Sequence, residues 1–126
     1  MKYCIMNTKQ MKEISMDFYE KMSIICKKIP EGKVATYGQI ALLCGKPKNS
    51  RQVGYGLREN LAGDDIPAHR IVNSKGELSG SCYFEYPDMQ KLLLQDEGVE
   101  VIRDGNKWKV NLKEYKWEHT KEDILV

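Results

Sequence analysis

His69 and Arg70 stand side by side in the run Ile66-Pro67-Ala68-His69-Arg70-Ile71. An imidazole next to a nucleophile can take its proton, and a third group can orient the imidazole; this is how side-chain nucleophiles are activated. The residue that precedes His69 is alanine. A methyl group cannot attack, accept or donate. The run has the look of a catalytic motif without its nucleophile, so binding, not bond-making, is the chemistry expected at Ala68.

Other reactive side chains are few. Cys4, Cys26, Cys44 and Cys82 are widely spaced and form no C-x-x-C pair. Buried free thiols are the expectation; a disulfide framework or a zinc site is not. Only His69 and His119 could complete a metal site, and no metal or organic cofactor is implied. Cys82 lies 14 residues beyond Ala68 in an irregular stretch and is a weak candidate for a substitute nucleophile.

The 126-residue chain has the size of one domain and room for one core. Its 41% apolar and 30% charged content is that of an ordinary globular protein. No apolar run is long enough for a membrane helix, and the N-terminus lacks the apolar stretch of a signal peptide. A cytoplasmic protein with no membrane partner, and a monomer, is expected. The net charge of +2 is unevenly spread. Residues 27–75 carry nine Lys/Arg against four Asp/Glu, whereas residues 76–126 carry seven against eleven. A basic middle suits a polyanion, although a solvated charged surface would read the same way.

The elements that must position these residues are mostly helical. From Ser15, the spacing of Phe18, Met22, Ile25 and Ile29 predicts a helix stopped by Pro30-Glu31-Gly32. Val34 and Ala35 read as a short extended link. Thr36-Tyr37-Gly38-Gln39 fits a capping box, followed by the stripe Ile40, Leu43 and Cys44, with Gly45 as the stop. Asn49 or Ser50 can cap a further helix over about Arg51–Arg58, with Val53 and Leu57 inward. Gly54 and Gly56 weaken that helix by roughly 1 kcal/mol each, so close approach of another backbone is expected there, with a DNA strand as a candidate. The pair reads as a helix-turn-helix or as a plain αα-hairpin.

Pro87-Asp88 opens another helix carrying Met89, Leu92 and Leu93, and Gly98 stops it. Val99 and Val101, then Trp108, Val110 and Leu112, flank Arg103-Asp104-Gly105-Asn106 as a β-hairpin would. The fold class is therefore mainly α: a winged helix-turn-helix-like domain with a small β-hairpin. The divisions expected are a lead-in over 1–14, the domain over 15–118 and a C-terminal tail over 119–126, with Tyr115 and Trp117 as packing anchors and the last residues loose.

Several of these runs together resemble a known family. Thr36-Tyr37-Gly38-Gln39-Ile40-Ala41, Asn49-Ser50-Arg51-Gln52-Val53-Gly54, Asn60 and Pro67-Ala68-His69-Arg70-Ile71-Val72 occur in the order found in the DNA-binding domain of O6-alkylguanine-DNA alkyltransferases. Gln95-Asp96-Glu97-Gly98 resembles the segment that supplies the enzymes' acidic residue, and Val110–Trp117 resembles the tail of the alkyltransferase-like proteins. The resemblance spans about residues 15–118.

The resemblance implies a role for each position. Ala68 stands where the enzymes carry the cysteine that accepts the alkyl group; the alkyltransferase-like proteins also replace it. His69 and Glu97 match the rest of the enzymes' relay, so Ala68, His69 and Glu97 form a vestigial relay with no catalytic residue. Arg51 matches the arginine that fills the duplex when a base swings out, and Tyr37 the tyrosine that crowds the phosphate. Asn60 matches a hinge, while Ser50 and Gly54 suit a helix lying in the minor groove. Lys46 and Lys48 are placed for phosphates. Pro67, Ala68 and Arg70 belong to the pocket, Arg70 bracing it through backbone carbonyls. The loop from Leu78 to Tyr86 departs most from the enzymes.

The function implied is non-catalytic recognition of O6-alkylguanine in double-stranded DNA by minor-groove contact and base flipping, with the lesion flagged for nucleotide excision repair proteins. Two alternatives stay open at this level. One is a methyltransferase that uses another cysteine or whose cysteine has been exchanged; the other is a winged-helix transcription factor without lesion preference.

Overall fold

The computed structural model describes residues 17–80 and 83–125. Helix α1 spans Phe18–Lys27 and opens on a capping box, with Asp17 accepting from the Glu20 amide at 2.8 Å. The expected start at Ser15, the lead-in over 1–14, Cys4 and Cys82 lie outside the described residues. Met22, Ile25 and Cys26 are buried, and Ile29 follows them inward past the helix end.

Strand β1, Ala35–Thr36, pairs in parallel with β2, Ile71–Val72, so the extended link is half of a small sheet. Thr36 ends β1 and at the same time caps α2, Tyr37–Leu43, through the expected box with Gln39. Gln39 is buried and fully engaged. Its carboxamide oxygen accepts from the Thr36 amide, and its Nε2 donates to the Trp117 carbonyl at 2.7 Å and to His119 Nδ1 at 2.9 Å. Gly45 ends α2 with a positive φ of 81°, and the Gly45 and Lys46 amides turn back onto Leu42 and Ala41.

Residues 44–49 lead into α3, Ser50–Arg58. Asn49 sits at the N-cap but its side chain bonds Gln52, not the helix end. Val53 and Leu57 join the main core, with Met22, Ile25, Ile40, Leu43 and Ile71. The two glycines of α3 have different reasons. A Cβ on Gly56 would meet the Tyr19 ring at 2.9 Å and Met22 Sδ at 3.0 Å, so Gly56 lets α1 pack on α3. A Cβ on Gly54 would meet only ordinary contacts, at 3.5 Å or more. The expectation of an outside approach at both glycines is corrected for Gly56.

A 3-10 turn, Ala68–Arg70, runs directly into β2. Helix α4 spans Met89–Asp96. Its buried residues are Gln90 and Leu94; of the apolar residues expected on it, Met89 and Leu93 are half-buried and Leu92 is about half exposed. The hairpin is formed by β3, Ile102–Asp104, and β4, Lys107–Lys109. Trp108 lies on it between Lys91, 4.1 Å from the ring centre, and Arg103, at 5.0 Å. A second, smaller core beneath it joins Val34, Val72, Leu94, Val99 and Val110.

Helix α5, Leu112–Tyr115, precedes a segment that is not loose. The Trp117 amide donates to the Val34 carbonyl at 2.7 Å and the Val34 amide to the Tyr115 carbonyl at 2.9 Å, a 3-10 turn at Lys121–Asp123 follows, and the Leu125 amide donates to the Leu43 carbonyl at 2.6 Å. Ile124 and Leu125 pack on the main core. The expected loose end is corrected, because these apolar residues cover the back of α2. Cys26 and Cys44 are buried free thiols, as expected; burial pushes Cys26 far up and Cys44 to about 11, the latter opposed by Lys21.

Candidate nucleic-acid interface

Parallel pairing of β2 with β1 sets the Ala68–Arg70 turn beside the chain that leads into β1, where Arg70 reaches the Ile29 carbonyl. Buried Gln90 reinforces that turn from the other side. Its Nε2 donates to the carbonyls of His69 and Ile71, and its Oε1 accepts from the Gly80 amide. One side chain thereby ties the turn to the 78–86 loop. A glutamine on a buried helix face was the signal for it, and sequence reasoning passed it over.

Glu97 caps the end of α4, and Gly98 (φ 84°) turns the chain away behind it. A carboxylate at a helix C-terminus opposes the helix dipole. Here strong donors converge on it. His69 Nε2 lies 2.6 Å from Glu97 Oε2. Arg70 reaches Oε2 through Nη2 at 2.7 Å and Oε1 through Nε at 2.9 Å, and the Gly32 amide donates to Oε1 at 3.2 Å. Burial works against the charge on Glu97. The hydrogen bonds from Arg70, His69 and Gly32, with the field of His69, outweigh it and bring the carboxyl down to about 2. Arg70 uses one backbone carbonyl, that of Ile29, at 2.9 Å. The expected bracing through carbonyls is thus mainly bracing through Glu97.

In front of this cluster lies a cleft of about 450 Å³. Ala68 and His69 form one side, Arg58 and Asn60 at the end of α3 another, and Tyr83, Phe84 and Leu93 a third. No cysteine is among the described residues that line it. Asn60 holds a left-handed conformation (φ 54°) and closes α3: its amide donates to Leu57, the Leu61 amide donates to Gly56, and its side chain bonds Asp64. Asparagine tolerates that conformation better than most residues.

The outward face of α3 carries Arg51, Tyr55 and Arg58, with the Arg58 guanidinium 5.5 Å over the Tyr55 ring. Arg51 and Arg58 are seven residues apart, about 10 Å along the helix. Arg58 thus places a cation at the cleft's edge, one the sequence reading did not pick out. Lys46 and Lys48 are exposed in the link before α3, and Ser50 is half-buried in its first turn. Tyr37 stands at the start of α2, with its hydroxyl 3.1 Å from that of Tyr83 and 3.3 Å from Ser79 Oγ. Gly54 lies beside both tyrosines. Pro67 faces a separate shallow depression with Lys27 and Asp65. The structure therefore unites Ala68, His69, Asn60 and, behind them, Arg70 and Glu97; Arg51, Lys46 and Lys48 stand apart along the link and α3.

Residues 17–99 match the family described as 6-O-methylguanine DNA methyltransferase, DNA binding domain. The chain belongs to this family. Among curated relatives of the family, alkyltransferase-like protein 1 of Schizosaccharomyces pombe is 38% identical over 102 residues, spanning 80% of this chain and 94% of the relative. The DNA base-flipping protein of Escherichia coli is 38% identical over 104 residues, 81% of this chain and 75% of the relative. The crystal structure of S. pombe Atl1 in complex with damaged DNA containing O6-carboxymethylguanine superposes with a TM-score of 0.72 at 34% identity, over 90% of this chain and all of that one. A DNA complex of Mycobacterium tuberculosis OGT matches with a TM-score of 0.58 at 30% identity, over 66% of this chain and half of that chain. The winged helix-turn-helix-like fold of the family, with its small hairpin, is the fold found here.

Among the described residues no group of His, Cys, Asp and Glu is placed to hold a metal ion. No described helix is long and apolar enough to cross a membrane.

Proposed function

We propose that this protein recognises O6-alkylguanine in duplex DNA without repairing it. The observation that carries the reading is the position of Ala68: a methyl group in the cleft, beside a complete His69–Glu97–Arg70 hydrogen-bond cluster. The cluster that would serve a nucleophile is built, and the residue beside it has no acceptor atom. The names of the alkyltransferase-like and base-flipping relatives support the same reading.

In this proposal α3 enters the minor groove, where Ser50 and Gly54 permit close approach and Lys46 and Lys48 meet phosphates. Arg51 takes the space of the extruded base, its planar guanidinium stacking on the partner left behind. Tyr37 crowds the neighbouring phosphate and Asn60 holds the hinge. The base enters the cleft and rests near Ala68, with Arg70 holding the wall through Glu97. Flipping costs a few kcal/mol and costs least for a base that already pairs poorly, which favours the lesion over normal guanine. The bent complex then marks the site for nucleotide excision repair.

The test is competition between an O6-methylguanine duplex and the same duplex with guanine, combined with a labelled methyl group. Tighter binding to the lesion with no label on the protein is expected. Label on the protein would restore the methyltransferase alternative, and equal affinity for the two duplexes would leave only a DNA-binding module.

A further inference from the structure

Tyr83 links two parts of the site that the sequence keeps far apart. It lines the cleft with Ala68, and its hydroxyl is 3.1 Å from the hydroxyl of Tyr37 at the start of α2. Ser79, from the same loop, reaches that Tyr37 hydroxyl at 3.3 Å. The loop holds Tyr83 closely. The Tyr83 amide donates to the Gly80 carbonyl at 2.9 Å, and a Cβ on Gly80 would lie 3.0 Å from the Tyr83 ring. Across from it, the Tyr83 hydroxyl would be 3.5 Å from a Cβ on Gly54, so the phenol spans from the loop to the middle of α3. Phe84 stands beside it, ring centres 6.3 Å apart and tilted by 53°, so the loop presents two aromatic rings to the cleft.

We infer that Tyr83 is a positioning residue for lesion recognition: its ring is a wall of the cleft and its hydroxyl latches Tyr37, so that a base in the cleft and the strand contact at Tyr37 are held by one side chain. This rests on the proposed function. The physical reason is short-range. A phenol hydroxyl has one proton and can bond in only a few directions, so Tyr37 is aimed by its two loop partners before DNA arrives. Pre-aiming lowers the ordering cost of binding, and it does so for the flipped state, in which both the cleft and Tyr37 are engaged.

Tyr83→Phe, Tyr37→Phe and the double variant test it, with affinities for the O6-methylguanine duplex and the plain duplex measured side by side. Tyr83→Phe keeps the ring and removes the latch. Its affinity for the lesion duplex falls roughly fivefold, the ordinary worth of one hydrogen bond, and its affinity for plain duplex is unchanged. The double variant loses no more than Tyr37→Phe alone, because the latch acts only through the Tyr37 hydroxyl. Tyr83→Ala, which also removes the wall, loses more of the preference than Tyr83→Phe. The ratio of the two affinities does not depend on the fraction of protein folded, so a destabilised variant still reports. If wild-type protein prefers the lesion and Tyr83→Phe keeps the full preference, loses affinity equally for both duplexes, or adds its loss to that of Tyr37→Phe, the latch is overturned alone. If wild-type protein shows no preference, the proposed function and the latch fall together.

Discussion

His69 donates through Nε2 to Glu97 Oε2 at 2.6 Å. The direction follows from charge: Glu97 is held at about 2, so at neutral pH its carboxylate only accepts. His69 therefore carries a proton on Nε2. Arg70, the next residue, closes on the same carboxylate. The pair is a rigid bracket behind the cleft.

Glu97 makes stability depend on acid. Its folded pKa of about 2 lies below the ordinary value of 4.5, so its contribution is complete above about pH 4.5 and is lost as pH falls toward 2. Glu97→Gln removes the charge but leaves Arg70 and His69 in place, and is expected to cost about 2–3 kcal/mol at neutral pH. Urea unfolding from pH 6 to pH 2 measures both. The wild-type curve falls across that window, and the variant's curve falls less steeply.

Ala68→Cys returns a thiol to the cleft beside His69. Because the bracket is already formed, transfer of a labelled methyl from an O6-methylguanine duplex to the protein is expected with the variant and not with wild type. An inert variant would mean that the thiol is not aimed at the base, and that this cleft differs from an alkyltransferase site by more than its nucleophile.

The two glycines of α3 separate packing from binding. Gly56→Ala drives a methyl into the Tyr19 ring at 2.9 Å and is expected to destabilise by about 1–3 kcal/mol. Gly54→Ala meets no such contact and is expected to stabilise by up to about 1 kcal/mol through helix propensity. In the proposed complex the order reverses: Gly54 is the glycine placed against the groove there, so Gly54→Ala is expected to weaken DNA binding. Thermal melts and duplex titrations of both variants decide the matter.

Arg51 is exposed in the first turn of α3, so Arg51→Ala should leave the melting temperature within a degree or two, roughly the size of an ordinary surface change. Its effect falls on flipping, with roughly tenfold or greater loss of lesion affinity. Lys46→Ala or Lys48→Ala acts otherwise. Each weakens both duplexes alike and lowers the salt dependence by about one counterion. A lysine variant that lost only lesion affinity would contradict a simple phosphate role.

Much of the fold was legible because its signals are local. The box Thr36–Gln39 and the stop at Gly45 are set by bonds within one helical turn. The alanine before His69 is likewise plain in the chain, and it alone says that no acceptor atom stands there. The resemblance over Thr36–Val72 marked the family before any geometry.

What the chain could not disclose was decided by contacts between distant residues. Whether Gly56 served DNA or packing depended on Tyr19, 37 residues away on α1. Which face of α4 turned inward depended on Gln90 meeting the carbonyls of His69 and Ile71, an exchange of hydrogen bonds that apolar periodicity does not record. The C-terminal segment was held by Gln39 and Leu43, partners supplied only once α2 was in place. Sequence by itself determined the longer helices α1 to α4 and which atom is missing at Ala68, whereas the short α5 begins at Leu112, which the alternation placed in the hairpin. Only the tertiary structure brought Glu97, Arg70 and Tyr83 around that position, because side-chain hydrogen bonds act over about 3 Å and these residues meet only when β1 and β2 have paired and α4 has closed on the turn between them.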